Sequence, residues 1–321
     1  MSSTQANHGG PVIAASGVRQ VYRGGTTALD GVDLEIGTGL FGLLGPNGAG
    51  KSTLMRILCT LLVPTAGEVK VCGHNVVRER LAVRRLFGYL PQEFNAWRLQ
   101  RVEEALDTLA LLSGLRGKKQ RQERIQQVLA DVGLNEVADR KVKTLSGGQV
   151  RRLGVAQAMV HEPKILVVDE PTVGLDPEER LRFRRLMSEL AKDRTIVLST
   201  HIVADLGSGC RDLALLDTGK IVFRGSPEEL LENAEGRIFE LVTDRAGEER
   251  LAERIEIVSR TPVDGGTRLR AVLLQGEMPA NATLAENATL EEGYLAFMAA
   301  RGRLSEALVD VPSDESNEEA A

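Results

Sequence analysis

Residues 45–53 read Gly-Pro-Asn-Gly-Ala-Gly-Lys-Ser-Thr, directly after the apolar run Leu40-Phe41-Gly42-Leu43-Leu44. Few nine-residue stretches restrict a fold so tightly. Gly45, Gly50, Lys51 and Ser52 fill the pattern GxxxxGK[ST], in which successive backbone N–H groups curl around phosphate oxygens. A side chain on those glycines would collide with the phosphates or forbid the turn's positive φ angles. The apolar run in front suits a buried strand. Thr53-Leu54-Met55-Arg56-Ile57-Leu58 behind has helical character, so the phosphates would sit at a helix N-terminus. Chance alone supplies this pattern in roughly 1% of chains of this length. Strand, loop and helix in that order predict an α/β chain with a mainly parallel sheet.

A phosphate cradle needs a metal holder and a group to position water. Ile165-Leu166-Val167-Val168 is another unbroken apolar run, and it ends in Asp169-Glu170-Pro171. That reads as a parallel strand delivering two carboxylates to its C-terminal edge, where open α/β sheets place ligands. Asp169 is placed to hold Mg²⁺ through its water shell, together with the Ser52 hydroxyl. Glu170, one residue on, is the candidate base that polarises the attacking water. Lys51 would reach the β- and γ-phosphates.

The pentapeptide Leu145-Ser146-Gly147-Gly148-Gln149 opens the helix-like stretch Val150 to Val160. Fully specified, it arises by chance in well under roughly 0.1% of such chains. With these motifs in order the chain resembles the ATP-binding-cassette (ABC) family, and within it the ATPases of ABC-2 type and multidrug exporters. The match spans about residues 12–225. The resemblance implies a P-loop NTPase fold with a mainly parallel sheet, a small antiparallel β region and a helical subdomain over about residues 92–160. It implies that Ser146, Gly147, Gly148 and Gln149 contact ATP held by the opposite subunit. Tyr22, in the run Val18-Arg19-Gln20-Val21-Tyr22, resembles the aromatic that stacks on adenine. Gln92, in Tyr89-Leu90-Pro91-Gln92-Glu93, resembles the glutamine that contacts Mg²⁺ and water while sensing the transport partner. Gly174-Leu175-Asp176-Pro177 resembles the loop that meets its counterpart across the dimer. His201, after Ile196-Val197-Leu198-Ser199-Thr200, resembles the switch histidine that touches the γ-phosphate.

The nucleotide site expected from these readings comprises Tyr22, the run Gly45, Pro46, Asn47, Gly48, Ala49, Gly50, Lys51, Ser52 and Thr53, and, from the other subunit, Ser146–Gln149 and Asp176. Glu170, His201, Lys51 and Gln92 are the expected catalytic groups, and Ser52, Gln92 and Asp169 the expected Mg²⁺ holders. The expected activity is ATP hydrolysis that powers transport through a separate membrane permease, of drug, lipid or polysaccharide exporter type. ATP would be sandwiched in a head-to-tail homodimer, with the chain peripheral on the cytoplasmic face of the cell membrane. The alternative is a regulatory ATPase of the same family acting on a soluble partner. The stretch between Lys51 and Ser146 leaves no room for the long coiled coils of repair and chromosome-organising relatives.

Composition fits. The chain has 321 residues, a formal net charge of −5 and a pI near 5.6, so no basic field argues for nucleic acid. No apolar run approaches the ~20 residues needed to span a bilayer. The N-terminus lacks the basic and apolar regions of a secretion signal, and the two Asn-Ala-Thr triplets at 281–283 and 287–289 carry no meaning without one. Cys59, Cys72 and Cys210 lack metal-ligand spacing and are expected to be buried and inert. Residues 1–11 read as a loose leader, and the inter-helix stretch Arg116–Arg121 as a solvated basic turn. Residues 226–309 read as a small α+β accessory domain, with strands near Ile238–Val242 and Leu269–Leu274 and a closing helix at Leu290–Met298. Residues 310–321 read as an acidic, disordered tail.

Overall fold

The computed structural model describes residues 11–94, 97–207 and 209–302. The chain divides into two compact units, Met1–Gly225 and Ser226–Ala321. The expected leader apart from Pro11, the end of the accessory stretch and the acidic tail lie outside the described residues.

In the first unit the elements run β1 (Ile13–Val21), β2 (Thr27–Ile36), β3 (Leu40–Leu44), α1 (Lys51–Leu58), β4 (Ala66–Val71), β5 (His74–Asn75), α2 (Arg80–Leu86) and β6 (Phe87–Leu90). Then come α3 (Val102–Leu112), α4 (Lys118–Asp131), α5 (Gly147–Met159), β7 (Ile165–Asp169), α6 (Pro177–Leu190), β8 (Thr195–Thr200), β9 (Cys210–Asp217) and β10 (Lys220–Gly225). The main sheet has the order β10-β9-β3-β8-β7-β6, in which β9, β3, β8, β7 and β6 are parallel and β10 closes an antiparallel hairpin. Every residue of β3, β7 and β8 is buried. This is what apolar strands covered on both faces require. A second, antiparallel sheet, β2-β1-β4-β5, shares a core with it through Ile13, Leu29, Val69, Leu43 and Val197.

The order has a direct consequence. Strand β8 lies between the strand that feeds the phosphate loop and the strand that ends in Asp169, so all three deliver their C-terminal ends side by side. The helices α3, α4 and α5 form the expected helical insertion. Val102, Ala105, Leu106 and Ala110 are buried, whereas Leu112 is 74% exposed. The predicted basic turn is corrected: α4 begins at Lys118, and Arg121 turns inward. Its guanidinium donates to Asp107 Oδ1 (2.7 Å) on α3 and to the carbonyls of Leu115 (3.2 Å) and Arg116 (2.8 Å), satisfying loop groups that a helix end leaves open. Cys59 and Cys210 are buried as expected, and burial pushes the Cys59 thiol pKa up. Cys72 is exposed, because it occupies a positive-φ turn (48°) after β4 rather than the strand itself.

The second unit contains α7 (Pro227–Leu231), β11 (Ile238–Thr243), α8 (Arg245–Leu251), β12 (Ile255–Val263), β13 (Gly266–Leu273), β14 (Thr283–Leu284) and α9 (Leu290–Ala300). Its sheet is antiparallel, in the order β12-β13-β11-β14. Phe239, Leu241, Ile255, Leu269 and Ala271 make its core. Both Ser226 and Thr289 cap their helices reciprocally with a glutamate three residues on. Strand β12 and helix α8 had no clear sequence signal. Of β12 only Ile255 is buried and the rest is partly buried or exposed, so alternation is weak there.

Candidate nucleotide site

The phosphate loop leaves β3 at Leu44 and enters α1 at Lys51 with Gly50 as the N-cap, φ 106°. No other residue type fits at Gly50, since a Cβ there would stand 2.4 Å from the Ala28 carbonyl. The β9–β10 turn closes over the loop: Gly219 N donates to Ala49 O (2.9 Å), and Gly219 O accepts from Asp30 N (2.9 Å). Tyr22 follows the last residue of β1, and its hydroxyl lies 3.1 Å from Thr53 Oγ1, which sets a half-exposed ring at the rim of the loop. A cleft of about 400 Å³ is lined by the run Asn47–Thr53 together with Ala28, Gln92 and Glu170. Most of the residues read from sequence as one site therefore converge.

Lys51 and Glu170 meet in this cleft, and His201 extends their chain of contacts. Lys51 Nζ donates to the carbonyls of Gly45 (2.7 Å) and Pro46 (3.1 Å) and lies 3.1 Å from Glu170 Oε1. Glu170 Oε2 in turn lies 2.8 Å from His201 Nδ1. A carboxylate facing a lysine ammonium can only accept, so Nδ1 carries the ring hydrogen in this pair. Lys51 and Glu170 are almost fully buried and His201 is about a quarter exposed. Glu170 also has a strained backbone, with φ of 45°, in a region non-glycine residues rarely occupy. Its N–H is fixed to Ser199 O (2.9 Å), which anchors the strained turn to β8. Strain of this kind costs on the order of 1–3 kcal/mol and concentrates at functional sites.

Asp169 ends β7 and is 1% exposed, and its Oδ1 has no hydrogen-bond partner. An orphaned carboxylate oxygen in a buried cleft is the donor chemistry that a divalent cation takes. The residues present therefore fit Mg²⁺. Arg151, absent from the sequence reading, gathers the surrounding backbone. Its guanidinium donates to the carbonyls of Pro91 (3.2 Å), Gln92 (2.9 Å), Asp169 (3.2 Å), Glu170 (2.5 Å) and Pro171 (2.8 Å). One side chain of α5 thus fixes both the Gln92 loop and the carboxylate turn. In sequence it is one arginine of a charged pair, with no spacing that marks it.

The Ser146 segment is built differently from a floor residue. Ser146 is the N-cap of α5: its Oγ accepts from Gln149 N (3.2 Å), and Gln149 Oε1 accepts from Ser146 N (2.9 Å). Helix α5 starts at Gly147, earlier than the expected Val150. Gly148 packs against α6, where a Cβ would lie 2.1 Å from Glu179 Oε2. Ser146 and Gly147 remain exposed. None of Ser146–Gln149 lines the phosphate-loop cleft; Gly147 lines a neighbouring one of about 550 Å³ with Gln92, Val173, Gly174 and Leu175. Asp176 caps α6, its Oδ1 accepting from Glu179 N (2.9 Å), and it too lies outside the phosphate-loop cleft.

A parallel sheet with a phosphate loop, a buried acid pair at the end of β7 and a histidine just past the end of β8, the strand between β7 and the loop's own strand, defines a P-loop ATPase. The family described as ABC transporter matches residues 29–173. An uncharacterized ABC transporter ATP-binding protein, YxlF of Bacillus subtilis, is 40% identical over 201 residues, 62% of this chain and 65% of that protein. The Nod factor export ATP-binding protein I of Ralstonia nicotianae is 35% identical over 300 residues, 89% of this chain and 93% of that protein. Among solved structures, the ATP-binding cassette MJ0796, a dimer in a post-hydrolysis state with ADP and Pi, superposes with a TM-score of 0.60 at 27% identity over 67% of this chain and 98% of that one. The chain belongs to the ABC transporter family, as an ATP-binding subunit that hydrolyses ATP. No helix of the described residues is long and apolar enough to cross a membrane.

Proposed function

We propose that this subunit powers a separate membrane-embedded exporter permease from the cytoplasmic face of the cell membrane, working as a head-to-tail homodimer with two ATPs at the interface. The observation that carries the dimer is the division of the motifs. The Asn47–Thr53 run, Gln92 and Glu170 share one cleft, while the exposed Ser146 cap sits outside it. A second copy supplies the missing half: the free N-terminal amides of α5 and the Ser146 hydroxyl suit an anionic phosphate. Exporter character is supported by the Nod factor export relative.

The roles follow from the contacts. Loop amides and the α1 N-terminus bind the phosphates, with Tyr22 as a stacking surface for the base. Ser52, Asp169 and Gln92 would hold Mg²⁺, which supplies neutralising charge to phosphate oxygens. Lys51 pairs with Glu170 Oε1. A phosphate gives Lys51 a more highly charged partner and releases Oε1 to accept a proton from water. His201 keeps the other oxygen of Glu170 fixed, so the base points one way throughout. In-line attack then needs positioning and charge stabilisation alone.

Ser146→Arg tests the dimer. It should abolish hydrolysis while leaving ATP binding by the monomer intact, as measured with a fluorescent ATP analogue; loss of monomer binding would sink the in-trans role. Purification from detergent-solubilised membranes tests the transport role. An integral membrane protein should accompany the chain, and a soluble partner alone would favour the regulatory alternative.

A further inference from the structure

Beyond the cleft lies a buried acid that the mechanism does not use. Asp205, 2% exposed, sits in the single 3₁₀ turn Val203–Leu206 that follows His201. Its Oδ2 accepts a hydrogen bond from Thr172 Oγ1 and one from Thr200 Oγ1 (3.2 Å). Its Oδ1 has no hydrogen-bond partner and faces Arg180 Nε of α6 at 3.9 Å. Helix α6 holds the same turn a second time, through Arg184 Nη1 donating to Ala204 O (2.7 Å). Burial pushes the Asp205 carboxyl above the ordinary carboxylate range, and the bonds from Thr172 and Thr200 and the charge of Arg180 work against that push. A carboxylate kept in the interior at such a cost calls for a reason beyond packing.

The reason lies in what its two threonine partners adjoin. Thr172 is two residues beyond Glu170, and Thr200 immediately precedes His201. One carboxylate oxygen therefore ties together the two backbone segments whose side chains, Glu170 and His201, meet at 2.8 Å. Both threonines are essentially without solvent exposure, so water cannot replace the bond. Through Arg180 and Arg184 the tie reaches α6, whose N-cap is Asp176 in the loop expected to meet the second subunit.

We propose that Asp205 is a positioning residue for hydrolysis, holding the Glu170–His201 pair in register and making that register follow the placement of α6. The proposal rests on the reading of Glu170 as the base. The pair forms only when two strand ends, β7 and β8, stop at matching depths. Asp205 fixes that depth through its bonds to Thr172 and Thr200. Displacement of α6 moves the turn, the turn moves Oδ2, and the two threonines carry the shift to both members of the pair.

Asp205→Asn in the full chain is the test, since the amide keeps an acceptor oxygen of the same size but loses the charge toward Arg180. Steady-state hydrolysis should show kcat lowered about 30-fold, the loss expected when a reacting group is displaced by a fraction of an ångström. KM and the affinity for a fluorescent ATP analogue should stay within about twofold, since no phosphate-binding group is touched. In a His201→Ala background the same substitution should cost nothing further, because the pair it positions is already gone. Wild-type kcat in Asp205→Asn, a change confined to KM, or losses that multiply in the double mutant would each overturn the proposal. Should Asp205→Asn fail to fold, Thr200→Val carries the same double-mutant test. Glu170→Gln in the same assay separates the failures. Wild-type turnover there removes the reading of Glu170, whereas an inactive Glu170→Gln beside a fully active Asp205→Asn removes only the role given to Asp205.

Discussion

In the second unit, Glu292 has no solvent exposure, and both of its carboxylate oxygens are satisfied. Oε1 accepts from Arg270 Nε (2.5 Å), while Oε2 accepts from Arg270 Nη2 (3.1 Å) and from Thr289 N (2.7 Å). The first unit has acids equally deep that are left incomplete. Asp169 Oδ1 and Asp205 Oδ1 are buried without hydrogen-bond partners, the first at the end of β7 and the second just beyond the end of β8. Among the described residues, no such orphaned side-chain atom falls in the second unit. The difference separates an acid that holds a fold together from acids that serve the site. Buried polar groups in a structural role are completed, and departures from that rule concentrate where chemistry is done.

The comparison can be broken at its strongest point first. Glu170→Gln should lower ATP turnover by about 10³-fold, the range for loss of a general base, while thermal unfolding shows no loss of stability. A large fall in the unfolding midpoint alongside the fall in rate would mean that Glu170 is structural after all. The opposite pattern is expected in the second unit. Glu292→Ala removes the buried acid of this pair, leaves Arg270 with Glu240 as its remaining acidic partner and should cost about 2 kcal/mol in urea unfolding of the full chain, with kcat per folded molecule unchanged. Thr289→Ala removes the cap of α9 and should cost about 1 kcal/mol, again without effect on kcat.

The smallest effect is in pH, and its sign differs between the units. Asp205 has its folded pKa raised by burial, so its contribution to stability is present at low pH and is lost as pH rises through that raised value. For Glu292, burial pushes the carboxyl up but the Arg270 and Thr289 hydrogen bonds outweigh it, leaving the net value lowered. Its contribution is complete above about pH 4.3, the unfolded value, and is lost as pH falls through the lowered one. The unfolding midpoint of wild type relative to Asp205→Asn should therefore decline as pH rises from about 4, an unfolded aspartate value. Relative to Glu292→Gln it should decline as pH falls below about 4.3. Slopes of the same sign would erase the distinction.

Much of the first unit was legible because its chemistry demands particular residues in sequence order. Gly45, Gly50 and Lys51 had to be adjacent for a loop to wrap phosphate, and Ile165–Val168 had to be apolar to pass between neighbours. What stayed hidden was contact between distant segments. Arg151 and Asp205 are single charges with no spacing to mark them, and their importance appears only when β7, β8 and the Gln92 loop are brought to one edge. The positive φ at Glu170 was equally invisible, because it comes from the tie to Ser199 rather than from the glutamate itself. In the second unit, β12 escaped notice because an edge strand with much of its surface in water need not alternate. Exposure of Cys72 and the inward turn of Arg121 were missed for the same reason, since neither is fixed by residue type.

The Gly219 amide, clasped to the Ala49 carbonyl, offers a clock for the phosphate loop. Its proton exchanges with deuterated solvent only when the β9–β10 turn lifts away from the loop, an event far smaller than unfolding. Strand β10 runs from that turn to Gly225, the last residue of the first unit. The exchange rate of this one backbone proton would time the opening of the loop directly, with neither nucleotide nor label in the tube.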